Sequence, residues 1–564
     1  MISDPALRRI SELRTVPDRF RAAADQGHGI VFVDGDLHTR VPWSQLLGEA
    51  EAMAAALQAR GIGPGDHVGV LGPTTRDLVT TFQAIWLAGA TVVVMPIPMR
   101  MASIEDFLDT TRRRLQRADA TLLILDPALS AFYTPAPGDP PACTYADLAG
   151  AAADFRAVRV DPSSLAILQF TSGSTSHPKG VMLPHESVCN NVASVWIATS
   201  YQIHEDVLVS WVPLYHDLGL IGLLLVGMCA GGEFVQAAPQ DFLARPARWM
   251  EWISTYGGTA TAGPNFAYVL ATRALSRAQD LDLSSLRIAL NGAEPIHADQ
   301  MRAFTDAGER FGMRPGCVFP AFGMAEVCVA GSFSVPMDGL LTDVVDRVAL
   351  EAEGYASPVE PGTDNARELV RLGRPMTGLE MRIVDRHDGR VLADREVGEL
   401  QITGTSMMAG YYRDPEGTAL AFDGEWLRTG DLAYMIAGEL VICGRIKDLI
   451  VIGGRNVFPE DVERAAAEVA GVRPGNVIAF GVERRRGKES VTVVAEVREA
   501  DGAGSAAIAD QVHRRVLEVV GVPPHEICLV AAGSLPKTSS GKLQRSLCRR
   551  LWEDGELELV PAPL

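Results

Sequence analysis

The ten residues TSGSTSHPKG, at positions 171–180, give the first indication of the architecture. They follow the apolar run LAILQF at 165–170, which has the pattern of a buried strand. A loop with so few bulky side chains, entered from a strand, can bring backbone N–H groups close to an anion. It does not match the Gly-Lys-[Ser/Thr] pattern of nucleotide-binding P-loops, because Lys179 follows a proline. Taken alone, the stretch is either a phosphate-binding loop or an ordinary polar turn.

The composition excludes several classes of protein. At 564 residues the chain is too long for one core and should divide into at least two or three compact units. A net charge of −19 argues against a nucleic-acid partner. The eight cysteines form no CxxC pair, which predicts reduced thiols rather than disulfides or a zinc site. The N-terminus has no signal-peptide pattern, and the most apolar segment, 218–232, is shorter than a membrane span. We therefore expect a cytoplasmic protein with no membrane span.

Helical and strand patterns alternate over the first 150 residues, which indicates a parallel α/β layer. The turn RGIGPGDHVG at 60–69 is superficially like a dinucleotide-binding turn, but its glycines precede a strand instead of following one. Residues 395–445 change to short strand-like pieces separated by turns, and a compact α+β pattern begins after them. This change predicts a domain boundary near residues 445–448.

Further polar stretches follow the opening loop in a fixed order. The first of them places His216 and Asp217 between apolar runs, where a satisfied core pair is an equally good interpretation. The stretches are SWVPLYHDLGLIG (210–222), NGAEP (291–295), FPAFGMAEV (319–327), RTGD (428–431), GRIKD (444–448) and LPKTSSGKLQR (535–545). This series resembles the adenylate-forming superfamily of acyl- and aryl-CoA synthetases, nonribosomal peptide adenylation domains and luciferases, from about residue 30 to 545.

The resemblance implies an α/β fold with a large N-terminal region at 1–445. That region is expected to contain layered α/β subdomains at roughly 1–185 and 186–372, and a small β-barrel-like part at 373–445. A small, mobile α+β domain at 446–564 is expected to follow, with its hinge near Lys447.

The resemblance also implies that ATP is bound, with the opening loop closing over its β- and γ-phosphates. The NGAEP residues and Phe322 would form the adenine pocket, and Asp431 would accept hydrogen bonds from the ribose hydroxyls. The residues expected to bind the nucleotide are Thr171, Ser172, Gly173, Ser174, Thr175, Lys179, Asn291, Gly292, Ala293, Glu294, Phe322, Gly323, Met324, Asp431, Arg445 and Lys542.

The same resemblance implies the chemical roles. Lys542 would bridge the acyl carboxylate and the α-phosphate, with His216 and Arg445 as the other expected catalytic side chains. Glu326 would bind Mg²⁺, an ion that favours hard carboxylate ligands. The cations Lys542, Arg445 and Mg²⁺ suit a reaction that brings two anions together at a charge-rich phosphorus. For Lys542, the alternative interpretation is a solvated surface lysine in a Gly/Ser turn.

Within the superfamily, the sequence most resembles fatty acyl-AMP ligases. The resemblance lies in WVPLYHDLGLIG, in AGPNFAY (262–268), in LNGAEPI (290–296) and in the extra segment 344–370. It implies activation of a medium- or long-chain fatty acid and transfer of the acyl group to the phosphopantetheine of an acyl carrier protein. Since no carrier attachment site follows Lys542, we expect the carrier to be a separate protein. The apolar residues 218–226 and 264–270 would suit either an acyl tunnel or ordinary core packing.

Three other functions stay open. A fatty acyl-CoA synthetase shares the fold and the first step, and Gly453 follows the CoA-using pattern. A non-catalytic binding protein that retains the fold should lack the charges that Glu326, Asp431 and Lys542 supply. Activation of a β-hydroxy acid for ring closure is also compatible with the motifs. The basic stretches ERRRGK (483–488) and RSLCRR (545–550) are candidate carrier-docking surfaces, or solvated charge runs.

Overall fold

A seven-stranded sheet contains the strand that leads into the opening loop. The computed structural model describes residues 2–97, 104–149, 154–171, 178–453, 455–484, 488–498, 502–538 and 541–560. Within these ranges the sheet has four parallel pairings, and the two pairings that involve the strand Gly180–Pro184 are antiparallel. The run LAILQF forms a strand as the sequence predicts. In spatial order the strands are β20 (Gly410–Tyr411), β8 (Gly180–Pro184), β7 (Leu165–Phe170), β4 (Thr91–Val94), β3 (His67–Leu71), β5 (Ala120–Leu125) and β6 (Ala142–Thr144).

A second sheet, with nine strands in the described residues, carries most of the site. Its strands, in spatial order, are β17 (Arg374–Pro375), β14 (Ser332–Phe333), β13 (Val318–Phe322), β12 (Ile288–Asn291), β11 (Ala260–Gly263), β9 (Val207–Ser210), β10 (Glu233–Ala237), β1 (Gly29–Asp34) and β2 (Leu37–Pro42). The first hairpin of the chain belongs here, because Ile30 of β1 pairs with Phe234 of β10. Strand pairing therefore crosses residue 185, and the subdomain bounds stay a prediction.

Helices cover both large sheets, as parallel strands buried on both faces require. Polar caps begin several of them; for example, Thr75 Oγ1 accepts a hydrogen bond of 3.3 Å from the N–H of Leu78. The helices are α1 (Pro5–Ser11), α2 (Val16–Ala23), α3 (Trp43–Ala59), α4 (Arg76–Leu87), α5 (Ile104–Arg117), α6 (Pro127–Ser130), α7 (Tyr145–Ala149), α8 (His185–Ala198), α9 (Asp217–Gly219), α10 (Val226–Ala230), α11 (Pro239–Ala244), α12 (Ala247–Tyr256), α13 (Asn265–Leu275), α14 (Ala298–Gly308), α15 (Arg347–Ala352) and α16 (Pro415–Ala421). A π-helix at Leu220–Leu225 joins α9 to α10.

Antiparallel strands form the part of the chain before the small domain. A five-stranded sheet contains β18 (Leu379–Val384), β19 (Gly398–Gly404), β21 (Phe422–Asp423), β22 (Trp426–Ile436) and β23 (Glu439–Arg445). Its register places Asp431 opposite Arg445. The segment 344–370 forms most of a separate hairpin, β15 (Thr342–Asp346) with β16 (Ala366–Val370), which also carries α15.

The C-terminal elements form a small α+β domain with its own valine- and alanine-rich core. They are β24 (Ile450–Ile452), β25 (Arg455–Val457), α17 (Pro459–Ala467), β26 (Val472–Arg484), β27 (Lys488–Val497), α18 (Gly502–Val520), β28 (Glu526–Val530) and α19 (Arg545–Glu553). The α/β fold class expected from the sequence is confirmed. All eight cysteines are free, and none of the helices in the described ranges is long and apolar enough to cross a membrane.

Candidate active site

A cavity of about 1830 Å³ lies where the strand ends of the nine-stranded sheet face the five-stranded sheet and the small domain. Most of the residues that the sequence assigns to nucleotide binding or catalysis line it, although they are far apart along the chain. Those on its wall are Thr171, His216, Gly292, Ala293, Glu294, Phe322, Gly323, Met324, Glu326, Asp431, Arg445 and Lys542. Ser172, Gly173, Ser174 and Thr175 lie outside the described residues.

Lys542 is one of the cations that line this cavity. The turn that carries it is held by two hydrogen bonds to the Lys542 main chain: the Thr538 N–H donates to the Lys542 carbonyl at 2.8 Å, and the Lys542 N–H donates to the side-chain Oγ1 of Thr538 at 3.0 Å. Burial lowers the pKa of Lys542, while the negative charges of Asp217 and Glu294 raise it in part. The ammonium group therefore sits among carboxylates in a partly dehydrated place, where its field acts strongly on a bound anion.

His216 and Asp217 form a close pair at the start of α9. His216 Nδ1 lies 2.5 Å from Asp217 Oδ1, and the Leu218 N–H donates to the same carboxylate oxygen at 2.8 Å. Burial alone would raise the pKa of Asp217, but the charge of His216, its hydrogen bond and the charge of Lys542 outweigh burial and lower it. The pair faces the cavity, so it is not merely a satisfied pair inside the core.

Asp431 and Arg445 face each other across β22 and β23. Arg445 Nε lies 3.2 Å from Asp431 Oδ1, and the carboxylate is buried while the guanidinium is largely exposed. Burial raises the pKa of Asp431 to about 6, against the opposing charge of Arg445. Lys447 follows in the 3₁₀ turn Ile446–Asp448, and burial together with Arg445 lowers its pKa. Asp431 can thus accept two hydroxyl hydrogen bonds when ionised.

Glu326 and Lys179 are linked by a residue that the sequence reasoning missed. The Tyr411 hydroxyl donates to Glu326 Oε1 at 3.0 Å, and Lys179 Nζ lies 4.2 Å above the Tyr411 ring, a cation–π contact. Burial raises the pKa of Glu326. Lys179 itself lies off the cavity wall. Nothing in the local sequence around Tyr411 marks this role, because the contact depends on β20 pairing with β8.

Asn291 differs from its neighbours in NGAEP. Its side chain is fully buried and donates to Asn265 Oδ1 at 3.1 Å, so it lies behind the cavity wall. Strand alternation gives the reason: Leu290 and Gly292 line the cavity, and the residue between them must point the other way. Asn265, which does line the cavity, is held by this contact and was also missed. Strand alternation predicts the orientation of Asn291, whereas Asn265 begins helix α13 and no alternation marks it.

Two backbone positions shape the cavity wall around Gly292 and Phe322. A Cβ at Gly323 would lie 1.8 Å from the carbonyl oxygen of Val329, so only glycine fits there. This close approach sets the course of the chain between Phe322 and Glu326. Ala293 has φ 69°, a left-handed conformation that turns the chain sharply after Gly292. Both features keep backbone, rather than side chains, next to the open space.

An apolar arm extends from the ionic centre along the inner face of the nine-stranded sheet. Of the two stretches in which the sequence allowed for a tunnel, 218–226 contributes to this arm, whereas Phe266 and Leu270 of 264–270 line the cavity but pack against the core on the other face of the sheet. The wall of the arm includes Leu208, Leu218, Gly222, Leu223, Val226, Ala260, Ala262, Ile288 and Leu290. Part of this wall is the π-helix, a rare geometry that often occurs at functional sites.

The structure describes the two basic stretches that the sequence offers as docking surfaces to different extents. The stretch 483–488 lies largely outside the described residues. In 545–550, Arg545 is occupied inside the small domain, where it donates to Asp448 Oδ2 at 2.7 Å and to Glu463 Oε1 at 2.8 Å. A docking surface there would have to rest on Arg549 and Arg550, both exposed.

Comparison with known proteins is consistent with this geometry. The family model for AMP-binding enzymes matches residues 20–412, and the model for the C-terminal domain of AMP-binding enzymes matches residues 454–550. A putative ligase of Mycobacterium tuberculosis is 37% identical over 93% of this chain and 97% of its own length. A medium-chain-fatty-acid–[acyl-carrier-protein] ligase of Moorena producens is 35% identical over 71% of this chain and 69% of its own.

Among solved structures, one from a study of fatty acyl-adenylate ligases of E. coli and L. pneumophila superposes with a TM-score of 0.89. It is 30% identical in sequence, and the alignment covers 97% of this chain and 99% of that one. The similarity therefore includes the small domain as well as the large sheets.

Proposed function

The chain belongs to the AMP-binding enzyme family, whose members form adenylates, and we propose that it activates a medium- or long-chain fatty acid. The products would be acyl-AMP and pyrophosphate. The acyl group would then pass to the phosphopantetheine thiol of a separate acyl carrier protein. The Moorena relative, named for a medium-chain fatty acid and an acyl carrier protein, supports both parts of this proposal.

The observation that carries the proposal is the continuity of the cavity. Lys542 and Glu294 line the same cavity as a set of apolar residues on β9, β11 and β12, and Arg287, next to Ile288, also lines it. Along β12, Gly292, Leu290 and Ile288 face the same open space, so the arm follows the strand for about 13 Å at roughly 3.3 Å per residue. An acid with its carboxylate at Lys542 would bury its alkyl chain along this arm. Each buried methylene would contribute about 0.8 kcal/mol.

The reaction follows from the charges around the ionic end. A carboxylate oxygen attacks the α-phosphorus of ATP, the bond from that phosphorus to the β-bridging oxygen breaks, and pyrophosphate leaves with the electron pair. Lys542 is placed to reduce repulsion between the two anions and to stabilise charge on the α-phosphate. Asp217 and His216 line the same cavity, where the charge of Asp217 acts on Lys542. Ionised Asp431 would accept hydrogen bonds from the ribose hydroxyls.

A magnesium ion fits the residues at Glu326. Mg²⁺ sites in phosphoryl-transfer enzymes usually combine one or two carboxylates with phosphate oxygens and water. The partly buried carboxylate of Glu326, oriented by Tyr411, supplies such a ligand. When bound, the ion would neutralise phosphate charge during transfer.

The hairpin β15–β16 supports a carrier protein, rather than CoA, as the acceptor. Arg367 on this hairpin forms a buried ion pair of 2.9 Å with Asp461 of the small domain. Arg347 donates to the Val520 carbonyl at 2.8 Å, and Glu351 pairs with Arg455. These contacts hold the small domain against the large region. A restrained small domain agrees with the poor use of CoA that the resemblance implies for enzymes carrying this segment.

A mass-spectrometric product assay tests the proposal. The enzyme is incubated with ATP, Mg²⁺ and fatty acids of graded length, with and without CoA. We expect acyl-AMP that accumulates and persists when CoA is added, and that is consumed by a phosphopantetheinylated carrier protein. Conversion to acyl-CoA would identify a fatty acyl-CoA synthetase instead. Absence of an adenylate with every acid would reject the fatty-acid assignment.

A further inference from the structure

A further cation, Arg114, lines the cavity on the side of the opening loop. It lies on α5 and shares the wall with Gln169, Phe170 and Thr171, where β7 ends and the loop begins. One turn further along the same helix, Arg117 donates to the Pro178 carbonyl at 3.2 Å. The C-terminal end of α5 therefore lies against both ends of the loop 171–179.

Arg114 differs from the comparable arginines of the cavity. Five other arginines on the wall have buried or partly buried side chains, and each is paired with a carboxylate: Arg287, Arg367, Arg464, Arg473 and Arg545. Within the described ranges, Arg114 has no hydrogen-bond or ion-pair partner for its guanidinium, and its Nε is buried without one.

An unpaired guanidinium in a partly dehydrated place is costly. Burial, helped by the like charge of Arg113, lowers the pKa of Arg114 to about 10, so the side chain is still charged at neutral pH. Burying a charge without a partner destabilises the folded protein, and such groups persist mainly where a ligand completes them. An anion that enters the cavity would supply the missing partner.

Resting on the proposed function, we propose that Arg114 binds the pyrophosphate portion of ATP and the pyrophosphate product. The planar guanidinium matches phosphate oxygens in a two-point hydrogen bond. Its position beside Thr171 places it on the loop side of the cavity, whereas Lys542 and Glu294 mark the end where the carboxylate would lie. Arg114 would thus bind the leaving group and leave the acyl carboxylate to Lys542.

The test compares Arg114→Met with Arg113→Met, which removes an exposed charge from the adjacent position of the same helix. Calorimetry with inorganic pyrophosphate, ATP and AMP, each with Mg²⁺, measures binding without any fatty acid or carrier. We expect Arg114→Met to weaken the binding of pyrophosphate and ATP by roughly 10- to 100-fold, the range of a lost charge-assisted hydrogen bond, and to leave the binding of AMP unchanged. The KM for the fatty acid, measured separately by pyrophosphate release, should also be unchanged.

The melting temperature provides a second readout, which should rise in the variant whose pyrophosphate affinity falls. Since the substitution removes an unpaired buried charge, the ligand-free Arg114→Met protein should melt at a higher temperature than wild type. Arg114→Lys, which keeps a charge but not the two-point geometry, should lie between wild type and Arg114→Met in pyrophosphate affinity.

Three results would overturn the inference: unchanged pyrophosphate affinity, equal losses in Arg113→Met, or a raised fatty-acid KM with ATP binding intact. The last would assign Arg114 to the carboxylate. Wild-type protein that binds ATP but forms no acyl-AMP would reject the proposed substrate while leaving the Arg114 comparison valid.

Discussion

Replacing Ala262 or Ala260 with leucine should reduce the length of the longest fatty acid that the enzyme uses well, and the two replacements should do so by different amounts. Both alanines line the apolar arm, and β11 pairs them with Leu290 and Ile288 of β12, respectively. Two strand residues advance about 7 Å, so Ala262→Leu blocks the arm about 7 Å nearer the ionic end than Ala260→Leu does. With C–C bonds of about 1.5 Å, each methylene of an extended chain advances about 1.25 Å. The two variants should therefore differ by about five methylenes in the longest acid well used.

The energetic size of the effect follows from burial. Each methylene kept out of the arm loses about 0.8 kcal/mol, which is about fourfold in kcat/KM. The assay measures kcat/KM for pyrophosphate release over a series of saturated acids. Acids shorter than the block serve as the internal control, because both variants should use them as wild type does. Identical chain-length profiles for the two variants, or losses that do not depend on chain length, would refute the placement of the alkyl chain.

Three other predictions concern the ionic end and the small domain. Lys542→Met should slow adenylate formation about 100- to 1000-fold, measured by pyrophosphate release, with the melting temperature unchanged because hydrogen bonds to its main chain hold its turn; near-normal release would remove Lys542 from the reaction. Since the pKa of Asp431 is raised to about 6, the KM for ATP should rise as the pH falls below that value. The same raised pKa means that Asp431 contributes stability at low pH that is lost as the pH rises past about 6. Asp431→Asn should therefore bind ATP weakly at every pH and yet be more stable than wild type at neutral pH, and a pH profile like that of wild type would contradict this. Asp461→Asn would leave Arg367 buried without its counter-charge, at a cost of about 3–5 kcal/mol, so hydrogen exchange in 459–467 should accelerate and use of CoA should increase; unchanged exchange would show that the pair does not hold the domain.

The sequence predicts the strands and the convergence of the motifs well. Apolar runs such as 165–170 form strands where the pattern places them, since a parallel strand buried on both faces must be apolar throughout. Residues at and beyond the carboxyl ends of neighbouring parallel strands meet at one edge of a sheet, which is why His216, Gly292 and Phe322 share one cavity.

Features that depend on long-range pairing could not be read from the sequence. Tyr411 reaches Glu326 only because a two-residue strand, β20, joins the edge of the seven-stranded sheet. Arg114 belongs to the run TRRRLQR, which has the composition of a solvated helix face, and only the packing of α5 turns it toward the cavity. The orientation of Asn291 is different, because strand alternation alone predicts that its side chain faces away from those of Leu290 and Gly292.

The most direct test of the central claim follows the oxygen atoms of the acid. A fatty acid labelled with oxygen-18 in both carboxylate positions is incubated with ATP, Mg²⁺ and the enzyme, and the adenylate is then cleaved at its carbonyl carbon with hydroxylamine. If the carboxylate attacks the α-phosphorus beside Lys542, the released AMP carries one oxygen-18 atom. Formation of ADP, or of AMP without the label, would contradict the account.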